Sequence, residues 1–123
     1  MSAKPKQIDN KSVMQIPTEL DAKVKYRFQK ETEFKFFKYF FQELLTQFAE
    51  GKIDIKPNNR YKKTKDKGKY KGKKLTKSLF LDRDTNIEMQ YIMKKKGFNF
   101  QNNFFLELLV AYAEKEIDLD NKI

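Results

Sequence analysis

The chain contains an internal repeat. Residues 34–55, FKFFKYFFQELLTQFAEGKIDI, return 64 positions later as residues 98–119, FNFQNNFFLELLVAYAEKEIDL, and 11 of the 22 aligned positions are identical. Each copy of a repeat is one structural unit, and short units cover their apolar faces against one another. The sequence therefore predicts a tandem duplication whose two halves share one core.

A long amphipathic helix is predicted within each copy, from Phe34 to Glu50 in the first. Its apolar residues recur at steps of three and four, the spacing of one helix face. They are Phe37, Phe40, Phe41, Leu44, Leu45 and Phe48, with the partners Phe104, Phe105, Leu108, Leu109 and Tyr112 in the second copy. A membrane span needs roughly 20 apolar residues, whereas Lys35, Lys38, Gln42 and Glu43 interrupt this stretch. Core packing is therefore the expected role.

Two short strands are predicted upstream of the long helices. In residues 11–16 alternation turns Met14 and Ile16 to one side of a strand and Lys11, Val13 and Gln15 to the other. In the second copy Leu75, Lys77, Leu79 and Leu81 share one face, and Thr76, Ser78 and Phe80 share the opposite face. A lone strand lacks backbone partners, so we expect the two strands to pair antiparallel.

A shorter helix is predicted between each strand and its long helix. The first runs from about Thr18 to Lys30, after Pro17, and the second contains Ile87, Met89 and Met93. Gly51 and Gly97 are candidates for helix C-terminal caps. Asn99 is a candidate N-cap for the last helix. The order strand, helix, helix therefore occurs twice.

Composition excludes several classes of function. The 123 residues contain neither cysteine nor histidine, which removes disulfides, thiol chemistry, Cys/His zinc sites and histidine acid/base catalysis. The three serines have no histidine to activate them. We therefore expect no enzymatic activity, no cofactor and no metal. The N-terminus has no apolar run of signal-peptide type, so a cytoplasmic location is expected.

The positive charge is concentrated between the two copies. Residues 56–77 hold eleven basic residues and one acidic residue, and they account for the whole net charge of +10. A concentrated positive segment attracts phosphate polyanions. Glycine, proline and asparagine in the same stretch also predict a flexible, solvated linker, and the two interpretations are compatible. The expected division is a disordered segment 1–10, a first unit 11–55, a linker 56–73, a second unit 74–119 and a tail 120–123.

The doubled order resembles the ribbon-helix-helix family of DNA-binding proteins, over residues 11–55 and 74–119. The resemblance implies a mainly α fold with a short antiparallel β-ribbon, here a tandem pseudo-dimer within one chain. In that family the ribbon enters the major groove of double-stranded DNA, where its outward side chains contact bases. Carried over, the base-reading residues are Lys11, Val13, Gln15, Thr76, Ser78 and Phe80.

The resemblance also implies phosphate contacts at the start of each long helix, since free N–H groups and the helix dipole favour an anion. By alignment these contacts fall at Lys35 in the first copy and at Asn99 and Gln101 in the second. Lys73, Lys74 and Lys77 are further phosphate candidates from the basic segment. Because the outward residues differ between copies, an imperfect or asymmetric operator is expected.

The biological use of DNA binding stays open at this point. A transcriptional repressor is the simplest expectation, and a plasmid or mobile-element accessory protein for partition, conjugation or copy control, or an antitoxin, is the alternative. A helical protein-interaction module without specific DNA binding is a third interpretation. Self-association on DNA would suit the resemblance. A monomeric pseudo-dimer and a dimer with exchanged halves would satisfy the same core.

Overall fold

The computed structural model describes residues 10–55 and 73–119. The predicted disordered segment 1–10, flexible linker 56–73 and tail 120–123 fall almost entirely on residues 1–9, 56–72 and 120–123, which lie outside the described part. Asn10, at the edge of the first of these segments, belongs to a β-strand instead. Within the described ranges no helix is long and apolar enough to cross a bilayer.

The described chain is mainly helical with one two-stranded antiparallel sheet, as the sequence predicted. Its elements in order are β1 (Asn10–Pro17), α1 (Thr18–Glu31), α2 (Phe37–Ala49), β2 (Lys74–Leu81), α3 (Arg83–Lys95) and α4 (Gln101–Ala113). The strands pair over their whole length, from Asn10 opposite Leu81 to Pro17 opposite Lys74. The predicted alternation is found, because Met14, Ile16, Leu79 and Leu81 are buried.

The long helices begin later than the sequence predicted. The first starts at Phe37 rather than at Phe34. Thr32 fixes the turn before this helix, since its hydroxyl donates to the Phe28 carbonyl over 2.6 Å and accepts from the Phe34 N–H over 3.0 Å. These bonds hold the backbone extended at the turn. The prediction of Asn99 as an N-cap is wrong, because α4 starts at Gln101 and Phe100 occupies the N-cap position.

Three of the helices end in a residue with positive φ. Gly51 follows α2 with φ +82°, and Gly97 follows α3 with φ +101°. Both glycines were predicted as C-terminal caps, and each N–H donates to a carbonyl of the last turn. Lys115 follows α4 with φ +64° and makes the same type of bond to Tyr112 over 3.1 Å. The same turn is therefore built twice with glycine and once with lysine.

The core is made by packing elements of one half against elements of the other. Helix α1 packs on α4, and α2 packs on α3. Helix α2 also lies against β2, and α4 against β1. Aromatic rings join the long helices at the centre: Phe41 meets Phe105 with centroids 5.1 Å apart, Phe40 meets Tyr112 at 4.7 Å, and Phe48 meets Phe104 at 4.8 Å. The core of the described residues is therefore shared between the two halves.

Arg27 ties the end of the described chain to α1. Its Nη1 donates to the carbonyls of Tyr112 and Ile117, and its Nη2 lies 3.2 Å from a carboxylate oxygen of Asp118. The guanidinium carbon lies 4.2 Å from the centre of the Tyr112 ring. Burial raises the pKa of the Tyr112 hydroxyl to about 12. Lys96 of the second half forms an ion pair with Asp54 of the first half. The segment after α2 and the segment after α4 are therefore each held by a cation of the opposite half.

Candidate nucleic-acid interface

The outer face of the ribbon, called here the outer ribbon face, carries short polar and apolar side chains. Val13 is 52% exposed and Phe80 44% exposed, and Gln15, Thr76 and Ser78 are also exposed. Lys11 belongs to the same row of β1, although its side chain lies outside the described part. These are the six residues that the resemblance to the ribbon-helix-helix family assigned to base contacts.

The strand register arranges these six residues as three directly opposed pairs. Lys11 lies opposite Phe80, Val13 opposite Ser78, and Gln15 opposite Thr76. A shift by one residue would turn the buried Met14 and Ile16 to solvent and the polar row inward. The buried side of the ribbon therefore fixes which side chains form the outer face.

Each free edge of the ribbon receives a side chain from a long helix. On the β1 edge, the Gln15 N–H donates to Asn102 Oδ1 over 2.9 Å. On the β2 edge, Gln42 Nε2 donates to the Phe80 carbonyl. Edge strands need such partners, because their outer backbone groups lack a neighbouring strand. Sequence reasoning missed both residues, since nothing local in an apolar helix indicates which strand edge a polar side chain will reach.

The starts of the two long helices are alike and are not capped by side chains. Phe36 and Phe100 occupy the N-cap positions of α2 and α4, and each ring is 66% exposed. Neither of these two described helices has an acidic residue in its first turn. The first N–H groups of a helix have no intrahelical acceptor, so both ends are suited to an anion.

The predicted phosphate residues around these helix starts have different surroundings. Lys35 and Asn99 are exposed, in the turns that lead into α2 and α4. Gln101 is only half-buried, and its side-chain oxygen accepts a hydrogen bond from Gln90. Lys35 and Asn99 are therefore open to solvent, whereas Gln101 is committed to α3.

The three lysines from the basic segment also differ in their surroundings. Lys73 and Lys74 are exposed where β2 begins, beside the first turn of α1, and the Thr18 N–H donates to the Lys73 carbonyl over 3.0 Å. The Lys77 ammonium instead lies 3.2 Å from an Asp21 carboxylate oxygen and 4.9 Å from the centre of the Phe37 ring. Lys77 points to the buried side of the ribbon, so we withdraw it from the phosphate candidates.

An open groove lies beside Phe80. It has a volume of about 400 Å³ and is lined by Phe34, Tyr39, Gln42, Glu43, Thr46, Phe80, Leu81 and Asp82. Asp82 closes this end of the ribbon, where its carboxylate caps α3 by accepting from the Thr85 N–H over 3.1 Å. Hydrogen bonds from Thr85 hold the pKa of the Asp82 carboxyl below its ordinary value. The groove therefore extends the outer ribbon face towards α2.

No grouping of three or more carboxylates that could hold a metal ion occurs in residues 10–55 and 73–119. Comparison of the chain with protein-family models, with curated proteins and with solved structures gives no match.

Proposed function

We propose that this chain is a sequence-specific binder of double-stranded DNA. It reads the major groove with the outer ribbon face, and its simplest use is transcriptional repression. The observation that carries the proposal is the strand register, which collects the six base-reading candidates into three opposed pairs on one exposed face. A two-stranded ribbon fits the major groove, and glutamine, serine, threonine and apolar side chains all have suitable base edges there.

The packing supports a pseudo-dimer, the arrangement in which a paired ribbon is built from two equivalent motifs. Residues 64 positions apart are equivalent in the repeat, so Phe104 corresponds to Phe40 and Phe48 corresponds to Tyr112. The Phe40–Tyr112 contact therefore has an equivalent in the Phe104–Phe48 contact. The same shift pairs Phe41 with Phe105, and these two rings touch each other. Such self-mapping contacts are what an isologous interface produces. We therefore propose a single-chain ribbon-helix-helix pseudo-dimer.

The phosphate contacts of this proposal lie on both sides of the ribbon. The uncapped starts of α2 and α4 supply N–H groups, and Lys35 and Asn99 supply exposed side chains in the turns before them. Lys73 and Lys74 supply exposed cations beside the first turn of α1. Phosphate contacts set orientation and affinity, whereas base contacts set sequence preference. Substitution of these lysines should weaken binding to all sequences alike and reduce its salt dependence.

The experiment is footprinting on the DNA that flanks the protein's own gene, with excess competitor DNA and at two salt concentrations. We expect a protected site that persists at the higher salt concentration. Gln15→Ala and Ser78→Ala should each weaken this site relative to competitor by about tenfold, because a good base contact contributes about 1–3 kcal/mol. Ala22→Ser is a matched control, since it changes an exposed neutral residue of α1 away from the ribbon. Unchanged specificity in the two ribbon variants would overturn the proposal.

A protein-interaction module is the second candidate, and a specific observation favours it. Tyr26 of α1 and Tyr91 of α3 are both exposed, and each carries a lysine ammonium near its ring, from Lys30 and Lys95. When residues 18–31 are aligned with 83–96, these tyrosines and lysines are the two identical positions. Diffuse, salt-sensitive DNA retention in the footprinting experiment would favour this candidate.

A further inference from the structure

The two ends of the outer ribbon face differ in chemistry. The amide end is defined by the Gln15–Thr76 pair together with the start of α4. The aromatic end is defined by Phe80 together with the start of α2. The strand register places these ends at opposite limits of the face, on either side of the central Val13–Ser78 pair.

The amide end is rich in neutral hydrogen-bonding groups, and exposed Lys74 of β2 flanks it. The bond from the Gln15 N–H to Asn102 fixes the first turn of α4 beside this end. That turn has the sequence Gln101-Asn102-Asn103, and exposed Asn99 precedes it. None of these described side chains is charged. Glutamine and asparagine pair with the N6 and N7 atoms of adenine in the major groove.

The aromatic end presents exposed rings on the ribbon and on α2 instead of amides. The bond from Gln42 to the Phe80 carbonyl fixes α2 beside this end, and Tyr39 lines the same groove as Phe80. The ring centroids of Phe36 and Tyr39 are 6.4 Å apart, and the Lys38 ammonium lies 5.3 Å from the Tyr39 ring centre. Apolar side chains in the major groove contact the thymine methyl group, and lysines contact phosphates.

The starts of α2 and α4 share an exposed phenylalanine, Phe36 and Phe100, but they differ at other equivalent positions of the repeat. The 64-residue shift places Asn103 at the position of Tyr39 and Asn102 at that of Lys38. The upstream segments align with a shift of 65, which places Phe80 at the position of Gln15. The two halves therefore hold different base-contacting chemistry on the same framework.

We propose that the protein binds a non-palindromic DNA site in a single orientation. The amide end reads an adenine-containing half-site, and the aromatic end contacts thymine methyl groups in the other half-site. This inference rests on the proposed function, since it requires the outer ribbon face to enter the major groove.

The test is directed DNA cleavage from one engineered cysteine that carries an iron chelate. The chain has no cysteine of its own, so Glu33→Cys and Lys94→Cys each give a single attachment point, near α2 and on α3 respectively. Both residues are exposed and lie outside the proposed base and phosphate contacts. With Glu33→Cys we expect cuts at one end of the footprint, and with Lys94→Cys a pattern displaced towards the other end. Equal cutting at both ends with either label would overturn the single orientation.

A variant that makes the two ends alike sharpens the test. Phe80→Gln combined with Tyr39→Asn copies Gln15 and Asn103 into the aromatic end. In the parent protein we expect one orientation to be preferred by about tenfold or more, which is the effect of one good base contact. In the double variant we expect this preference to disappear, so that both ends of the site are cut nearly equally. Phe80→Leu is the control, because it keeps an apolar contact and should keep the orientation. Loss of orientation in Phe80→Leu alone, or retention in the double variant, would contradict the assignment of the ends.

The outcomes separate this inference from the proposed function. A protected site that is cut equally from both ends keeps specific DNA binding and removes the single orientation. No protected site in any variant removes the proposed function itself, and with it the inference.

Discussion

Lys115 has a backbone conformation that glycine adopts at the equivalent place in the other half. Its φ is +64°, and a shift of 64 positions takes Gly51, with φ +82°, onto it. An L side chain in the left-handed region crowds the following carbonyl oxygen, which costs about 1–2 kcal/mol. The turn is retained because the Lys115 and Glu116 N–H groups donate to carbonyls of the last turn of α4.

Lys115→Gly should raise the free energy of unfolding by about 0.5–1 kcal/mol. Relief of the backbone strain is partly offset by loss of a cation at the helix C-terminus, which contributes about 0.3–1 kcal/mol. Urea denaturation followed by circular dichroism gives the difference. Gly51→Ala is the reciprocal variant: a Cβ atom there meets nothing within 4 Å, so its expected loss of about 1 kcal/mol comes from φ alone. A lower stability for Lys115→Gly would show that the lysine side chain contributes more than the strain costs.

At the scale of elements, α3 begins differently from its neighbours. Its N-cap is Asp82, whose carboxylate accepts from the Thr85 N–H, whereas Pro17, Phe36 and Phe100 occupy the N-cap positions of the other described helices. Helix α3 is also short of buried apolar residues, with Met89 and Met93 as its buried members. The cap therefore contributes a larger share of stability to α3 than capping does to α2 or α4.

Asp82→Ala should lower the free energy of unfolding by about 1 kcal/mol at neutral pH, the typical contribution of an N-cap. The pKa of Asp82 is lowered by its bonds to Thr85. The charged carboxylate therefore makes its full contribution to the free energy of unfolding at pH values above the ordinary carboxyl pKa of 3.8. It is lost as the pH falls through the lower pKa of the folded state. Urea midpoints of the two proteins should converge as the pH falls below that lower pKa.

Asp82→Asn provides the control for this pH dependence. Asparagine caps about as well as aspartate and does not titrate, so this variant should match the parent at neutral pH and retain its cap in acid. If Asp82→Ala were as stable as the parent at neutral pH, the bond to Thr85 would not stabilise α3.

The elements were predictable from the sequence because their signals are local. Alternation in residues 11–16 and 75–81 defines the strands, and three-four spacing defines the helices. The helix starts were placed too early, because the apolar pattern continues through the turns before the long helices, such as the turn that Thr32 fixes before α2. The roles of Asn102, and of Lys77 with its partner Asp21, depend on how separate elements pack. No local pattern contains that information. The functional assignments of the outer ribbon face stay predictions.

At the scale of the whole molecule, the core belongs to both halves at once. The contacts of α1 with α4 and of α2 with α3 cross from one half to the other, and so do the central aromatic pairs. A segment of this size buries too little surface to be stable alone. Loss of one half should therefore leave the other without its main apolar partner.

Phe104→Leu should lower the stability of both halves together, by about 1–2 kcal/mol. Phe104 is fully buried and touches Phe48 in the other half. Native-state hydrogen exchange should show a similar loss of protection in α1–α2 and in α3–α4, and urea denaturation should show one transition. Phe100→Leu is the control at an exposed ring, with an expected change within about 0.5 kcal/mol. A loss confined to α3–α4 would mean that the halves open independently.

The packing of α1 on α4 and of α2 on α3 also determines how the protein behaves on dilution. When such helix pairs are formed by two separate chains, folding is a second-order reaction, and the folded fraction falls as the protein becomes scarce. In the proposed single-chain pseudo-dimer both partners of each pair belong to one polypeptide, so each helix meets its partner at an effective concentration that does not depend on the protein concentration. Folding of the proposed pseudo-dimer is thus a first-order reaction, and its folded fraction is expected not to change on dilution, whereas a dimer with exchanged halves would unfold as it is diluted.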